Sequence, residues 1–146
     1  MRPVADTALL FTYGTLRLPP GGLESPAVLA WLQRTAAAVQ QATGADGAWL
    51  IVAGDEAVGL LSLKGPPRDG VVEIGYGVAA SRQRLGHATR AVTWLTRLTA
   101  PRGWSLTAET AADNRASQLV LERTGFRRTG EREDAEDGTR LVWRRP

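Results

Sequence analysis

The chain contains no cysteine and a single histidine, His87. A disulfide framework, a thiolate metal site and a cysteine nucleophile are thereby excluded, and a reducing, cytoplasmic setting is the expected one. One histidine without cysteine leaves neither a metal constellation nor a credible Ser/His/Asp triad, so no metal is expected. No apolar run approaches the ~18 residues of a membrane span, and no basic leader with an apolar core opens the chain. Lysine is nearly absent too: Lys64 stands beside seventeen arginines. What is present suits one compact unit, since 146 residues with 43% hydrophobic and 23% charged residues can bury a single core. One domain over 1–146 is expected. Net charge is only +3, but residues 82–102 carry Arg82, Arg84, Arg90, Arg97 and Arg102 and no acid, a local positive field that would attract a polyanion. For Arg90, Arg97 and Arg102 a solvated helix face explains the charge equally simply.

The densest signal runs from Val71 to Arg90. Val71, Val72, Ile74, Tyr76 and Val78 read as a buried strand, and from Ala88 the apolar residues Ala91, Val92, Leu95 and Leu98 follow a helical face. Between them lies Gln83-Arg84-Leu85-Gly86-His87-Ala88. A glycine there lets backbone approach a ligand, and the first amides of the following helix have no intrahelical partner. Phosphate oxygens fit such amides.

This hexapeptide resembles the Gln/Arg-x-x-Gly-x-Gly/Ala signature of the GNAT superfamily of N-acetyltransferases, whose loop and following helix hold the pyrophosphate of acetyl-coenzyme A. Glu73-Ile74-Gly75-Tyr76 on the preceding strand, and the downstream block from Asn114 through Ser117 to Gly125-Phe126, extend the likeness. The second block is similar to the branch containing the ribosomal-protein alanine and serine N-acetyltransferases. The resemblance implies an α+β fold: a central mixed, mostly antiparallel sheet of about six or seven strands with helices on both faces. It implies acetyl transfer from acetyl-coenzyme A to a primary amine by direct attack in a ternary complex. The acceptor would be a small-molecule or peptide amine chosen by residues 19–47 and 64–70, with no membrane or nucleic-acid partner, and a homodimer is an allowed assembly.

Residue roles follow from the same resemblance. The cofactor would be held by Val78, Ala80, Gln83, Arg84, Leu85, Gly86, His87, Ala88, Thr89 and Asn114, the strand parting from its neighbour after Val78 to admit the pantetheine arm. Asn114 also reads as a plain helix N-cap. Glu73 occupies the general-base position. Hydrophobic neighbours would raise its pKa by desolvation, and Gly75 and Gly77 on its face would leave room for an amine. An edge carboxylate paired to a nearby arginine is the bland alternative. Many family members place a tyrosine seven residues after the asparagine to protonate the departing thiolate, whereas this chain has Leu121 there. Ser117 matches the serine to which the ribosomal-protein branch assigns that acid role, and it also suits an ordinary helix start.

The remaining elements are expected in sequence as a strand over Leu9–Leu18, a helix capped by Ser25 with Pro26 first, and a hairpin of Trp49–Ala53 with Ala57–Leu63. A strand at Trp104–Glu109, a helix at Arg115–Arg123 and a last hairpin, Phe126–Glu133 with Thr139–Arg144, follow. The tryptophans, Tyr76 and the phenylalanines read as core. Two other readings stay open: a GNAT-like module that binds acyl-coenzyme A without catalysis, and a nucleic-acid binder resting on the arginine-rich face. Tyr13-Gly14-Thr15-Leu16 also resembles the glycine loop of gamma-glutamylcyclotransferases, but strand-helix alternation after residue 70 argues against their β-barrel plan.

Overall fold

The computed structural model describes residues 1–3 and 16–146. Most of the strand expected over Leu9–Leu18, and the Tyr13–Leu16 glycine loop up to its last residue, lie outside them. The described elements run β1 (Arg2–Pro3), α1 (Pro26–Thr43), β2 (Ala48–Ala53), β3 (Glu56–Leu63) and β4 (Val71–Val78). They continue with α2 (His87–Thr99), β5 (Ser105–Ala111), α3 (Arg115–Arg123), β6 (Arg127–Asp134) and β7 (Gly138–Arg145). The strands form one seven-stranded sheet in the order β1-β2-β3-β4-β5-β7-β6. Only β4 and β5 pair in parallel; every other neighbouring pair is antiparallel. The mixed, mostly antiparallel α+β sheet expected from the sequence is therefore the one observed.

Local chemistry sets the helix limits. Ser25 Oγ accepts from the Val28 amide at 3.3 Å with Pro26 in the first turn of α1, closing one orphan amide where proline's missing N–H costs nothing. Leu29, Leu32, Ala36 and Val39 recur on one side of α1 and are buried. The first three pack with Ala48, Leu50, Ala57 and Leu60, so α1 covers the β2–β3 part of one sheet face. The opposite face carries the larger core. There Val92 and Leu95 of α2 and Leu121 of α3, all with 0% exposure, meet Val72, Ile74, Leu106 and Trp143. Trp49 and Trp94 pack edge to face at 5.4 Å within it.

Two consequences position the site. First, α1 stops at β3, leaving the same face of β4, β5 and β7 without a helix over it; along β5 burial alternates, with Leu106, Ala108 and Thr110 buried and Thr107 and Glu109 half-exposed. Second, β4 and β5 are registered only from Val71–Glu73 against Ser105–Thr107. Beyond Glu73 the two strands part. The separation expected after Val78 begins five residues earlier, because β4 stays with β3 as far as Val78 against Gly59 while β5 turns to pair with β7. The outer strand β6 is charged and exposed along nearly its whole length, which discourages pairing with another edge.

Candidate active site

The parting of β4 and β5 opens clefts on both sides of the sheet. A cavity of about 370 Å³ lies on the face beside α1, walled by Leu23, Val28 and Trp31 and floored by Gly75, Gly77 and Glu109. A second, of about 610 Å³, lies between the start of α2 and α3, lined by Gln83, Arg84, Gly86, His87, Ala88 and Thr89. Tyr76, Gly77, Val78, Asn114 and Ser117 line both. The clefts thus adjoin at these five residues beside the gap in the sheet.

The second cleft is built for an anion. Arg84 and Gly86 both adopt left-handed backbone, with φ of 65° and 81°, so successive amides curve toward the start of α2, whose first turn lacks intrahelical acceptors. A Cβ on Gly86 would stand 2.8 Å from Arg90 Nη1. Torsion therefore favours glycine here, and a side chain at this position would also displace the Arg90 guanidinium. Arg90 Nη2 donates to the Leu85 carbonyl and to His87 Nδ1, each at 3.0 Å, which leaves the imidazole's proton on Nε2 in this arrangement. Burial, with the Arg90 charge beside it, holds the His87 pKa below its ordinary value. Among the described residues Arg84, Arg90 and Arg123 have no carboxylate partner. Arg82, in contrast, is spent on Glu56 at 2.7 Å. A pyrophosphate-bearing ligand fits this cradle: cations without a carboxylate partner, free helix amides and a glycine that keeps the approach clear of a side chain.

The predicted cofactor residues Val78, Gln83, Arg84, Gly86, His87, Ala88, Thr89 and Asn114 line this cleft, whereas Leu85 is 58% exposed and outside the lining. Ala80 also lies outside. It opens a short 3₁₀ turn, Ala80–Arg82, instead of continuing β4, so its backbone does not extend the strand as expected. The Val78 carbonyl already accepts from Gln83 Nε2 at 3.0 Å. Asn114 Oδ1 accepts from the Ser117 amide at 3.1 Å, an N-cap that simultaneously faces both clefts.

Glu73 departs from expectation. Its side chain is 39% exposed and ion-paired to Lys64 Nζ at 3.2 Å, the pairing expected as the alternative but with a lysine in place of an arginine. It does not line the cavity beside α1; Lys64 does. Of the two glycines expected to leave space, Gly77 is open, but a Cβ on Gly75 would meet Lys64 Cε at 2.9 Å. The carboxylates that line the cavity are Glu24, just before α1, and Glu109 on β5. Arg132 donates to Glu109 through Nη2 at 2.6 Å and Nε at 3.1 and 3.2 Å, and these bonds hold its carboxyl below the usual range despite partial burial. Only pairing across strands reveals Glu109, because Glu109 lies 36 residues from Glu73 in the chain.

Ser117 sits at the junction. Its Oγ is 2.8 Å from the Tyr76 hydroxyl oxygen, which also lies 3.2 Å from the Ser117 carbonyl oxygen, so the single phenol proton goes to one of the two. Tyr76 packs half-buried against the larger core, as expected, and in addition lines both clefts. Trp31 likewise lines a cavity at 39% exposure, while Trp49 and Trp143 are core. Leu121 has 0% exposure and brings no hydroxyl. Arg102 lies over Trp104 at 5.1 Å, so this arginine is stacked rather than simply solvated. No metal-holding group of His, Asp and Glu occurs among the described residues. No described helix is long and apolar enough to cross a membrane.

A parted parallel strand pair beside a cleft of free helix amides and arginines defines a class of α+β protein that can hold a phosphate-bearing ligand through its sheet. The chain belongs to the acetyltransferase (GNAT) domain family, whose model matches residues 5–127. It is an acetyltransferase, and acetyl-coenzyme A is its acetyl donor. Among solved structures it is similar to a ribosomal L7/L12 alpha-N-protein acetyltransferase with coenzyme A, at 22% identity and TM-score 0.75 over 99% of this chain and 91% of that one. An acetyltransferase from Salmonella typhimurium that modifies the N-terminal serine of ribosomal protein L7/L12 matches at 22% identity and TM-score 0.74 over 99% and 92%. Against the ribosomal-protein-S5-alanine acetyltransferase of Vibrio fischeri the likeness is 20% at TM-score 0.58, covering 62% of this chain and 55% of that one. No curated protein matches the sequence.

Proposed function

We propose that the protein transfers the acetyl group to a primary amine by direct attack, with donor and acceptor bound together. The observation that carries this is the pair of cavities adjoining beside the β4–β5 gap with five residues common to both. Two ligands entering from opposite faces would meet at Gly77, Val78 and Ser117. Proximity of that kind lowers a bimolecular barrier without any covalent enzyme intermediate, and the chain has no cysteine to form one. Acetyl-coenzyme A supplies the thioester. The chain's residues do the rest: the cradle from Gln83 to Thr89, with Arg90, holds phosphate; Val78 and Asn114 offer polar groups to the pantetheine; and Ser117 offers a hydroxyl to the departing sulfur. Leu23, Val28 and Trp31 give the acceptor cavity an apolar wall opposite Lys64, Glu109 and Arg140. An amine on a small molecule or at a peptide end fits it.

A neutral amine is needed, so a base must take a proton. Glu73 is the proposed base, reached through water once Lys64 swings aside. Glu109 lies nearer the cavity, and this favours it as a second reading. Its arginine partners depress its basicity, however, which counts against it. The test is a thiol-release assay over peptide N-termini, amino acids, polyamines and aminoglycosides. Release with at least one amine is expected, with Glu73→Gln lowering turnover roughly 100-fold at neutral pH and the gap narrowing above about pH 9, where more free amine exists. A loss in Glu109→Gln with Glu73→Gln unaffected would transfer the role to Glu109. Coenzyme binding without release from any amine would favour the non-catalytic module.

A further inference from the structure

We propose that the Tyr76 hydroxyl is a positioning group for Ser117, donating to Ser117 Oγ so that the serine's own proton is directed at the sulfur of the leaving coenzyme A. The role rests on the reading of Ser117 as the partner of that sulfur. Tyr76 projects from β4, where it is in register with Leu61, and reaches the first turn of α3 across the gap left by the departure of β5. Its hydroxyl has two recorded neighbours, Ser117 Oγ at 2.8 Å and the Ser117 carbonyl at 3.2 Å. Both are on one residue. Tyr76 and Ser117 each line both clefts, so the pair stands where donor and acceptor ligands would meet.

Hydrogen inventory decides what the pair can do. A phenol has one proton, and a serine has one proton and two lone pairs. If Tyr76 donates to the carbonyl, it must accept from Ser117 Oγ, and the serine proton is consumed within the pair. When Tyr76 donates to Oγ, the serine proton is free to enter the cleft, and the incoming donor bond strengthens it. An anionic sulfur selects the second arrangement. Position 121, where a phenol would otherwise approach from α3, is a buried leucine. The phenol comes instead from β4, one residue short of the open Gly77.

The chemistry balances without net proton transfer from the pair. The amine nitrogen bonds to the thioester carbon, the carbon–sulfur bond breaks, and its electron pair leaves on sulfur. The amine proton goes to the base. Burial holds the Tyr76 phenol above its ordinary pKa near 10, against the opposing effect of the Ser117 hydrogen bond. Thiols are more acidic, near 8.5, so full transfer to sulfur would run uphill. Tyr76 and Ser117 therefore stabilise thiolate by hydrogen bonding, and solvent protonates it on release.

The same pair must favour thiolate in the product complex, which gives a test that needs no acceptor. The thiol pKa of bound coenzyme A, followed by thiolate ultraviolet absorbance from pH 6 to 10, should rise by about half a unit or more in Tyr76→Phe, with coenzyme affinity at pH 7 unchanged. One hydrogen bond is worth about that much. Ser117→Ala should raise it at least as far, and the double variant should match Ser117→Ala, since Tyr76 acts through Ser117. Tyr13 and Tyr76 are the only tyrosines, so fluorotyrosine incorporation in a Tyr13→Phe background modifies position 76 alone. A more acidic phenol should lower the bound thiol's pKa further, a response that packing would not produce and one that survives if Tyr76→Phe folds poorly. An unchanged thiol pKa in Tyr76→Phe or the fluorinated protein, or additive effects in the double variant, would overturn the role. Failure of the parent to bind coenzyme A would instead remove the donor-site reading itself.

Discussion

Gly86→Ala separates a ligand-binding role of the cradle from mere backbone strain. Gly86 has φ +81°, and a non-glycine residue held in left-handed backbone costs about 1–2 kcal/mol. For a chain of this size that lowers Tm by roughly 2–8 °C. The new Cβ would also lie 2.8 Å from Arg90 Nη1, the far end of a flexible side chain. The guanidinium would have to leave the Leu85 carbonyl and His87 Nδ1, and the methyl would remain in the space a pyrophosphate must approach. Coenzyme A affinity should therefore fall at least about tenfold, or about 1.4 kcal/mol. Gly103→Ala is the matched control. Gly103 has φ +70°, no heavy atom lies within 4 Å of its hypothetical Cβ, and it follows α2 at the end opposite the cradle. It should lose similar Tm and no affinity. Thermal unfolding and calorimetric titration with coenzyme A measure both. Equal affinities in the parent, Gly86→Ala and Gly103→Ala would refute the assignment of the cradle.

Two further outcomes are expected. Because Glu109's carboxyl is held below its usual range by Arg132 and Arg140, its stabilising effect is present above the unfolded pKa near 4.3 and lost as pH falls through the folded one; the parent's urea midpoint should exceed that of Glu109→Gln at pH 7, and the gap should close below about pH 4. His87, held neutral by burial and Arg90, must gain a proton more readily once phosphate lies beside it, so coenzyme A affinity should rise from pH 8 to 6 more steeply in the parent than in His87→Phe, as read by titration calorimetry.

Legibility in the sequence followed the range of the interactions involved. Ser25-Pro26 marked the start of α1, the change from strand to helical period marked β4 and α2, and Asn114 was recognisable as a cap, because each depends on neighbours within a few residues. Gly86 was legible for the same reason: a strand must turn into a helix there, and glycine alone adopts that turn freely. The Lys64 partner of Glu73 was not legible. It comes from β3's end, and the register of β3 against β4 sets the meeting.

The sequence by itself determined the element order from α1 onward, the glycine turn into α2 and the family, since these reside in contiguous stretches whose local conformations the residues dictate. Tertiary structure alone decided where β4 and β5 part, that Glu109 rather than Glu73 lines the cavity beside α1, and that Tyr76 meets Ser117. Those outcomes depend on one strand being shared between two neighbours. β4 remains hydrogen-bonded to β3 while β5 follows β7, and the side chains brought together across the resulting gap lie about 40 residues apart, a distance over which local periodicity carries no information about register.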